Sequence, residues 1–197
     1  MKNRFFLGFV VAMVVVATSC GKMPQDDINA TKAAVEAAKT AQAGVYMAPE
    51  FKSLQDSLTV VMQEIEAENS KFMKNFDALT VKLDTLKSQA EAIAAAVPAK
   101  KQAVKQEAET TLAALKTAIE DTKALLTKAP KGKEGKAALE QIGNELNVIA
   151  TTADEVETSM AGEVNYVQVL DKLTAAQKSV ADLNTELSEA IAKKAKK

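Results

Sequence analysis

PEFKSLQDSLTVVMQEIEAENSKFMKNFDALTVKLDTLKSQAEAI, residues 49–93, decides the fold of this chain. Phe51, Leu54, Leu58, Val61 and Ile65 step by three and four residues, and the stripe resumes at Phe72, Phe76, Leu79, Leu83, Leu86, Ala90 and Ile93. That spacing lines the apolar side chains along one face of an α-helix. Carrying one phase through Phe72 takes two successive steps of four, a stutter that locally relaxes left-handed supercoiling. The expectation is a single helix over residues 49–97, about 70 Å long at 1.5 Å per residue. Phe72 and Phe76 are expected to fill the wider space where the packing shifts.

Upstream, Asp26 and Asp27 suit a helix N-terminus, and a first helix over residues 26–43 buries Ile28 and Val35 before Gly44 stops it. Pro49 and Glu50 then suit the first turn of the long helix. Downstream, Pro98 is expected to end that helix and open a third over residues 99–128, with Val104, Ala108, Leu112, Leu115, Ile119 and Leu126 inward. Residues 129–135 form a polar, glycine-containing loop. A fourth helix over residues 136–161 carries Leu139, Ile142, Leu146, Ile149, Ala153, Val156 and Met160, and Ala161-Gly162 interrupts or bends it. A last helix over residues 164–194 carries Tyr166, Val169, Leu173, Ala176, Val180, Leu183, Leu187 and Ala190. The fold class is all-α: an elongated antiparallel helical bundle of four to five helices with coiled-coil-like packing, in one domain over residues 26–197. The lengths suggest that the first and third helices pack end to end along the second. An internal echo runs through the chain, because Ala43-Gly44 precedes Tyr46 and a heptad helix as Ala161-Gly162 precedes Tyr166 and another.

Composition narrows the chemistry. The chain has no histidine and one cysteine, so the usual general base, a thiol nucleophile and soft or imidazole metal ligands are missing from its body. The expectation is a protein that is not an enzyme and needs no metal or cofactor. Carboxylate pairs such as Glu64 and Glu68 fall at i, i+4 spacing among lysines, the pattern of a solvated helix face. With a formal charge of −1, no basic field exists to recruit nucleic acid.

The N-terminus carries an address. Lys2 and Arg4 precede an apolar run over residues 5–17, then Ala17, Thr18 and Ser19 lead into Cys20 and Gly21. Thirteen apolar residues are too few for a membrane span of about 20. Ordinary secretory cleavage is permitted, but it would leave an unpaired thiol in an oxidising compartment. The stretch resembles the lipobox of bacterial lipoproteins, with Ala17 where that motif usually has a large aliphatic residue. The resemblance implies a signal peptide over residues 1–19, a covalent lipid on Cys20 and a short tether over residues 20–25. Losing Lys2 and Arg4 takes the formal charge from −1 to −3.

A second resemblance runs from Asp26 to Leu58. Ala33-Ala34-Val35-Glu36-Ala37-Ala38, Gly44, Tyr46, Ala48-Pro49-Glu50, Leu54 and Leu58 resemble an uncharacterised family of bacterial envelope lipoproteins, with an alanine-rich helix, a Tyr-Ala-Pro-Glu turn and a long amphipathic helix. Met47 is inserted in the turn and Phe51 follows the glutamate. The resemblance implies helical form and an envelope location, without a substrate.

Two basic clusters are candidate contacts for an anionic surface. Lys100, Lys101 and Lys105 are expected at a hairpin tip next to Pro98, and Lys193, Lys194, Lys196 and Lys197 close the chain. Near anionic lipid each lysine is worth about 1 kcal/mol; otherwise the clusters solvate the tip and cap the last helix. If the first two helices form a tight hairpin, the second extends far past the start of the first, and on so short a tether either the bundle lies along the membrane or its distal basic tip points down to it. Asp26-Asp27 after the cysteine resembles the acidic signals that carry some lipoproteins to the cell surface. The expected role is a lipid-anchored spacer, scaffold or binding platform in the bacterial envelope, on the outer membrane facing the periplasm, with an envelope protein or the cell wall as partner. The alternative is a periplasmic holdase chaperone. Oligomerisation stays open, since heptads pair within one chain or between chains.

Overall fold

The computed structural model describes residues 21–129 and 135–195. The signal segment, Cys20, most of the loop after Ala129, and Lys196 and Lys197 lie outside the described residues. Among those described, all regular structure is helical: α1 (Gln25–Thr40), α2 (Ala43–Tyr46), α3 (Ala48–Asn69), α4 (Asp77–Lys128), α5 (Gly135–Met160) and α6 (Tyr166–Ala195). Six helices replace the expected four to five.

The difference arises at two places. Residues 70–76 form a loop where a stutter was expected, so the long helix over residues 49–97 does not exist. Glu68, Asn69 and Ser70 end α3, and Asn75 starts α4 by accepting the Asp77 N–H on its side-chain oxygen at 3.0 Å. Short polar side chains of this kind compete with the helix for backbone groups, which favours turns and caps. The loop inverts the two phenylalanines. Phe76 is buried, but Phe72 is fully exposed, which corrects its place in the stripe.

The second place is Pro98, which neither ends nor opens a helix but sits inside the 52 residues of α4. A proline there removes one backbone bond and crowds the carbonyl four residues back. The helix continues because packing holds both sides of it. Before Pro98, α4 packs against α1 and α3 through Leu79, Leu83, Leu86, Ala90 and Val97. After it, α4 packs against α5 and α6 through Ala108, Leu112, Leu115 and Ile119.

Cross-helix contacts set the directions. Thr31 of α1 reaches the Leu83 carbonyl at 3.1 Å, and Lys101 donates to Gln42 at 3.2 Å, so α1 runs parallel to α4. Gln177 donates to the Thr111 carbonyl and Asn184 to Thr122, so α6 is parallel as well. Lys82 pairs with Glu64 just across the loop from Asn69 to Asp77, and Gly143 lies against Leu126 while Asp154 and Glu157 pair with Lys116, so α3 and α5 are antiparallel to α4. Two three-helix clusters therefore share one axis. Along α4 the parallel helix α1 is followed by the parallel α6, and the antiparallel α3 by the antiparallel α5, a correction to the expected end-to-end pairing of the first and third helices.

Two buried threonines complete the core. Thr31 and Thr122 sit on parallel interfaces with the hydroxyl turned back to the carbonyl four residues earlier, at 2.8 and 2.7 Å. Every buried side-chain polar atom among the described residues has a partner, which keeps burial of these hydroxyls inexpensive.

Candidate functional site

The two clusters meet at a waist built from the turns that the sequence echo marks. α1 ends at Thr40, four residues before Gly44: Gln42 takes the left-handed conformation at φ 72°, and Gly44 lies inside α2. A left-handed residue just past a helix is a common stop, though usually glycine. The turn buries Tyr46. Across the waist, the Asn165 side-chain oxygen accepts the N–H groups of Val167 and Gln168 at 3.1 and 3.3 Å, capping α6. The Tyr166 N–H, another free donor of that helix start, donates to the Tyr46 hydroxyl at 3.4 Å.

Lysines from α4 close the waist. The Lys101 ammonium lies 5.8 Å from the centre of the Tyr46 ring, and Lys105 lies 5.8 Å from that of Tyr166. Both distances fit cation–π attraction. Lys101 also lies 3.7 Å from Glu163, beside a cleft of about 200 Å³. Lys100 is exposed on the same turn of α4. The three lysines therefore occupy the middle of a continuous helix, which corrects their placement at a hairpin tip. Two of them hold the turns together.

The terminal cluster sits elsewhere. Lys193 is exposed and lies 3.6 Å from Glu189, one turn earlier in α6. Lys194 belongs to the last turn of α6 by its backbone. Because α6 is parallel to α4, this end is the one remote from residues 70–76. Pro49 and Glu50 fall in the first turn of α3, as the turn reading expects.

The features missed at the level of sequence lie at the opposite end. Phe72 and Met73 are 102 % and 83 % exposed, bracketed by Lys71 and Lys74. Their loop is held by side chains. Glu68 accepts from the Lys71 ammonium at 2.6 Å and from the Asn75 N–H at 2.9 Å, and Lys74 donates to Asn69 at 2.9 Å. The bonds from Lys71 and Asn75 hold the Glu68 carboxyl below its ordinary pKa. The capping residues Asn69, Ser70 and Asn75 were the available signal, overridden by the apolar stripe running across them.

Two further groups are perturbed. Burial, with Asp84 and Asp26 adding repulsion, raises the pKa of Asp27, partly offset by Lys87. Hydrogen bonds to Glu157 and then Asp154 raise that of Lys116, which ties α4 to α5. Among the described residues no three His, Cys, Asp or Glu side chains gather as metal ligands, and no helix is long and apolar enough to cross a membrane. No family model, curated protein or solved structure matches the chain.

Proposed function

We propose that the chain is a lipid-anchored, non-enzymatic spacer or scaffold of the bacterial envelope, as its resemblance to envelope lipoproteins implies, tethered through Cys20. One observation carries the reading. The 52 residues of α4 cross both clusters and hold the ends of the molecule about 78 Å apart. The tether precedes α1 at one end, and α6 carries Lys193 to the other, where it faces an anionic envelope protein or the cell wall. The waist serves this role as a splice: paired turns, ring faces and lysines stiffen α4 where Pro98 weakens it.

Replacing Cys20 with Ser tests the anchor. The processed wild-type chain fractionates with membranes, and the processed Cys20→Ser chain is released with soluble envelope proteins. Retention of that variant on membranes overturns the anchor. A photo-crosslinker at Lys193 in living cells then identifies the partner at the far end.

The holdase alternative rests on the open groove between α5 and α6, about 560 Å³, where Val148 is exposed beside Ile149. Strong binding of a hydrophobic dye that Val148→Ser abolishes, together with suppressed client aggregation, moves the conclusion to a chaperone. Absence of both removes that alternative.

A further inference from the structure

Residues 70–76 put two large apolar side chains into water at the end of the molecule from which the N-terminus leaves. The register of α1 on α4 establishes this. Thr31 lies six residues into α1 from Gln25 and touches the Leu83 carbonyl, six residues into α4 from Asp77. The starts of the two parallel helices are therefore level, and the loop before α4 lies beside the tether before α1. Met23 on that tether is also exposed. From Cys20 to Gln25 the chain reaches at most about 18 Å.

The loop is built to project its tip. Glu68 ties Lys71 to the Asn75 backbone, Lys74 is held by Asn69, and Phe76 is buried at the base. Phe72 and Met73 are thus pushed outward from a loop whose ordering is already achieved, which lowers the entropic cost of seating them. We propose that this loop is a second membrane contact, in which Phe72 and Met73 enter the interfacial layer of the bilayer that holds the N-terminus. Lys71 and Lys74 sit at headgroup level, where an ammonium stays hydrated while its stem lies against apolar surface. Asp26, Asp27, Glu68 and Asp77 share this end with Lys22, Lys71 and Lys74, so the contact is driven by apolar insertion and not by anionic lipid. The inference rests on the anchor reading, and its test separates the two.

The thiol of Cys20 is consumed by lipidation, so Met73→Cys offers a single site for an environment-sensitive fluorophore, with Val148→Cys in the second cluster as the reference. The lipidated chain is reconstituted into phosphatidylethanolamine–phosphatidylglycerol vesicles, with nitroxide-bearing lipid or aqueous iodide as quencher. The probe at 73 is expected to be quenched by the lipid nitroxide about threefold more than the probe at 148, and shielded from iodide. Replacing phosphatidylglycerol by phosphatidylcholine, or raising the salt, leaves this unchanged. Equal iodide access at both positions on a chain that floats with the vesicles overturns the proposal. If the anchor itself fails, the same probes are placed on a chain in which a hexahistidine tag replaces residues 1–20, held by nickel-chelating lipid. That arrangement fixes the same end to the bilayer, so shielding at 73 supports the tip and equal exposure refutes it without reference to Cys20.

Discussion

Gln42 shows how much a single backbone conformation decides. It is the one non-glycine with positive φ among the described residues, and its side chain accepts from Lys101. A left-handed non-glycine residue is strained, so Gln42→Gly is expected to raise stability by about 0.5 kcal/mol, and Gln42→Val, with a branched β-carbon, to lower it by about 1 kcal/mol, in urea unfolding. Charges at the tether end make opposite contributions. Asp27 has a raised pKa in the folded chain, so its charge opposes folding above that value, and the opposition fades as pH falls through it to the ordinary carboxylate range. Asp27→Asn should therefore be more stable than wild type at neutral pH, with the advantage vanishing in acid. Glu68 has a lowered pKa, so its contribution is present above the ordinary range and lost as pH falls through the folded value. Glu68→Gln should be the less stable chain at neutral pH and converge with wild type in acid. Unfolding curves for the two variants across pH 3–7 check both signs.

At the scale of elements, the puzzle is why one helix break is real and the other is not. Pro98 is the stronger breaker by propensity, costing about 3 kcal/mol in a helix interior, yet α4 runs through it because each half is clamped by two partner helices. Pro98→Ala restores the missing backbone bond, and a gain of about 1–3 kcal/mol in urea unfolding is expected. A loss instead would show that the turns at the waist pack against a bend. The three-and-four spacing made the all-helical class legible, together with most of the core, since Leu83, Leu115, Leu146, Leu173 and Leu187 are all buried. It misled at residues 70–76 because Phe72 and Phe76 are four apart and mimic a helical pair. Periodicity registers where apolar side chains fall and says nothing of whether the backbone between them turns. The buried Thr31 and Thr122 were illegible for a related reason: a hydroxyl joins a core only when a carbonyl lies within reach, which depends on a helix crossing. The lysines of the waist were visible as a basic cluster, but their partners Tyr46, Tyr166 and Glu163 come from turns far away in sequence.

The whole molecule turns these local choices into an orientation. With 22 residues in α3 and 26 in α5 flanking the 52 of α4, the rod is three helices across and about 78 Å long. α3 returns to the level where α1 began, so among the described residues the loop over 70–76 lies at that end beside the tether. An anchor at one point is a swivel and leaves the rod free to lie down. Adding Phe72 and Met73 as a second attachment beside it makes a two-point footing at one end, and the rod stands. Neutron reflectometry of the lipidated chain on a supported bilayer is expected to show a protein layer about 80 Å thick, against about 25 Å for a rod lying flat. Phe72→Ser with Met73→Ser removes one footing without touching the core, since both side chains are exposed. The layer should then thin while the amount of bound protein changes far less. An upright layer that survives this double substitution would assign the orientation to the tether alone, and a flat layer in the wild type would place the basic tail of α6 against the same membrane as Cys20.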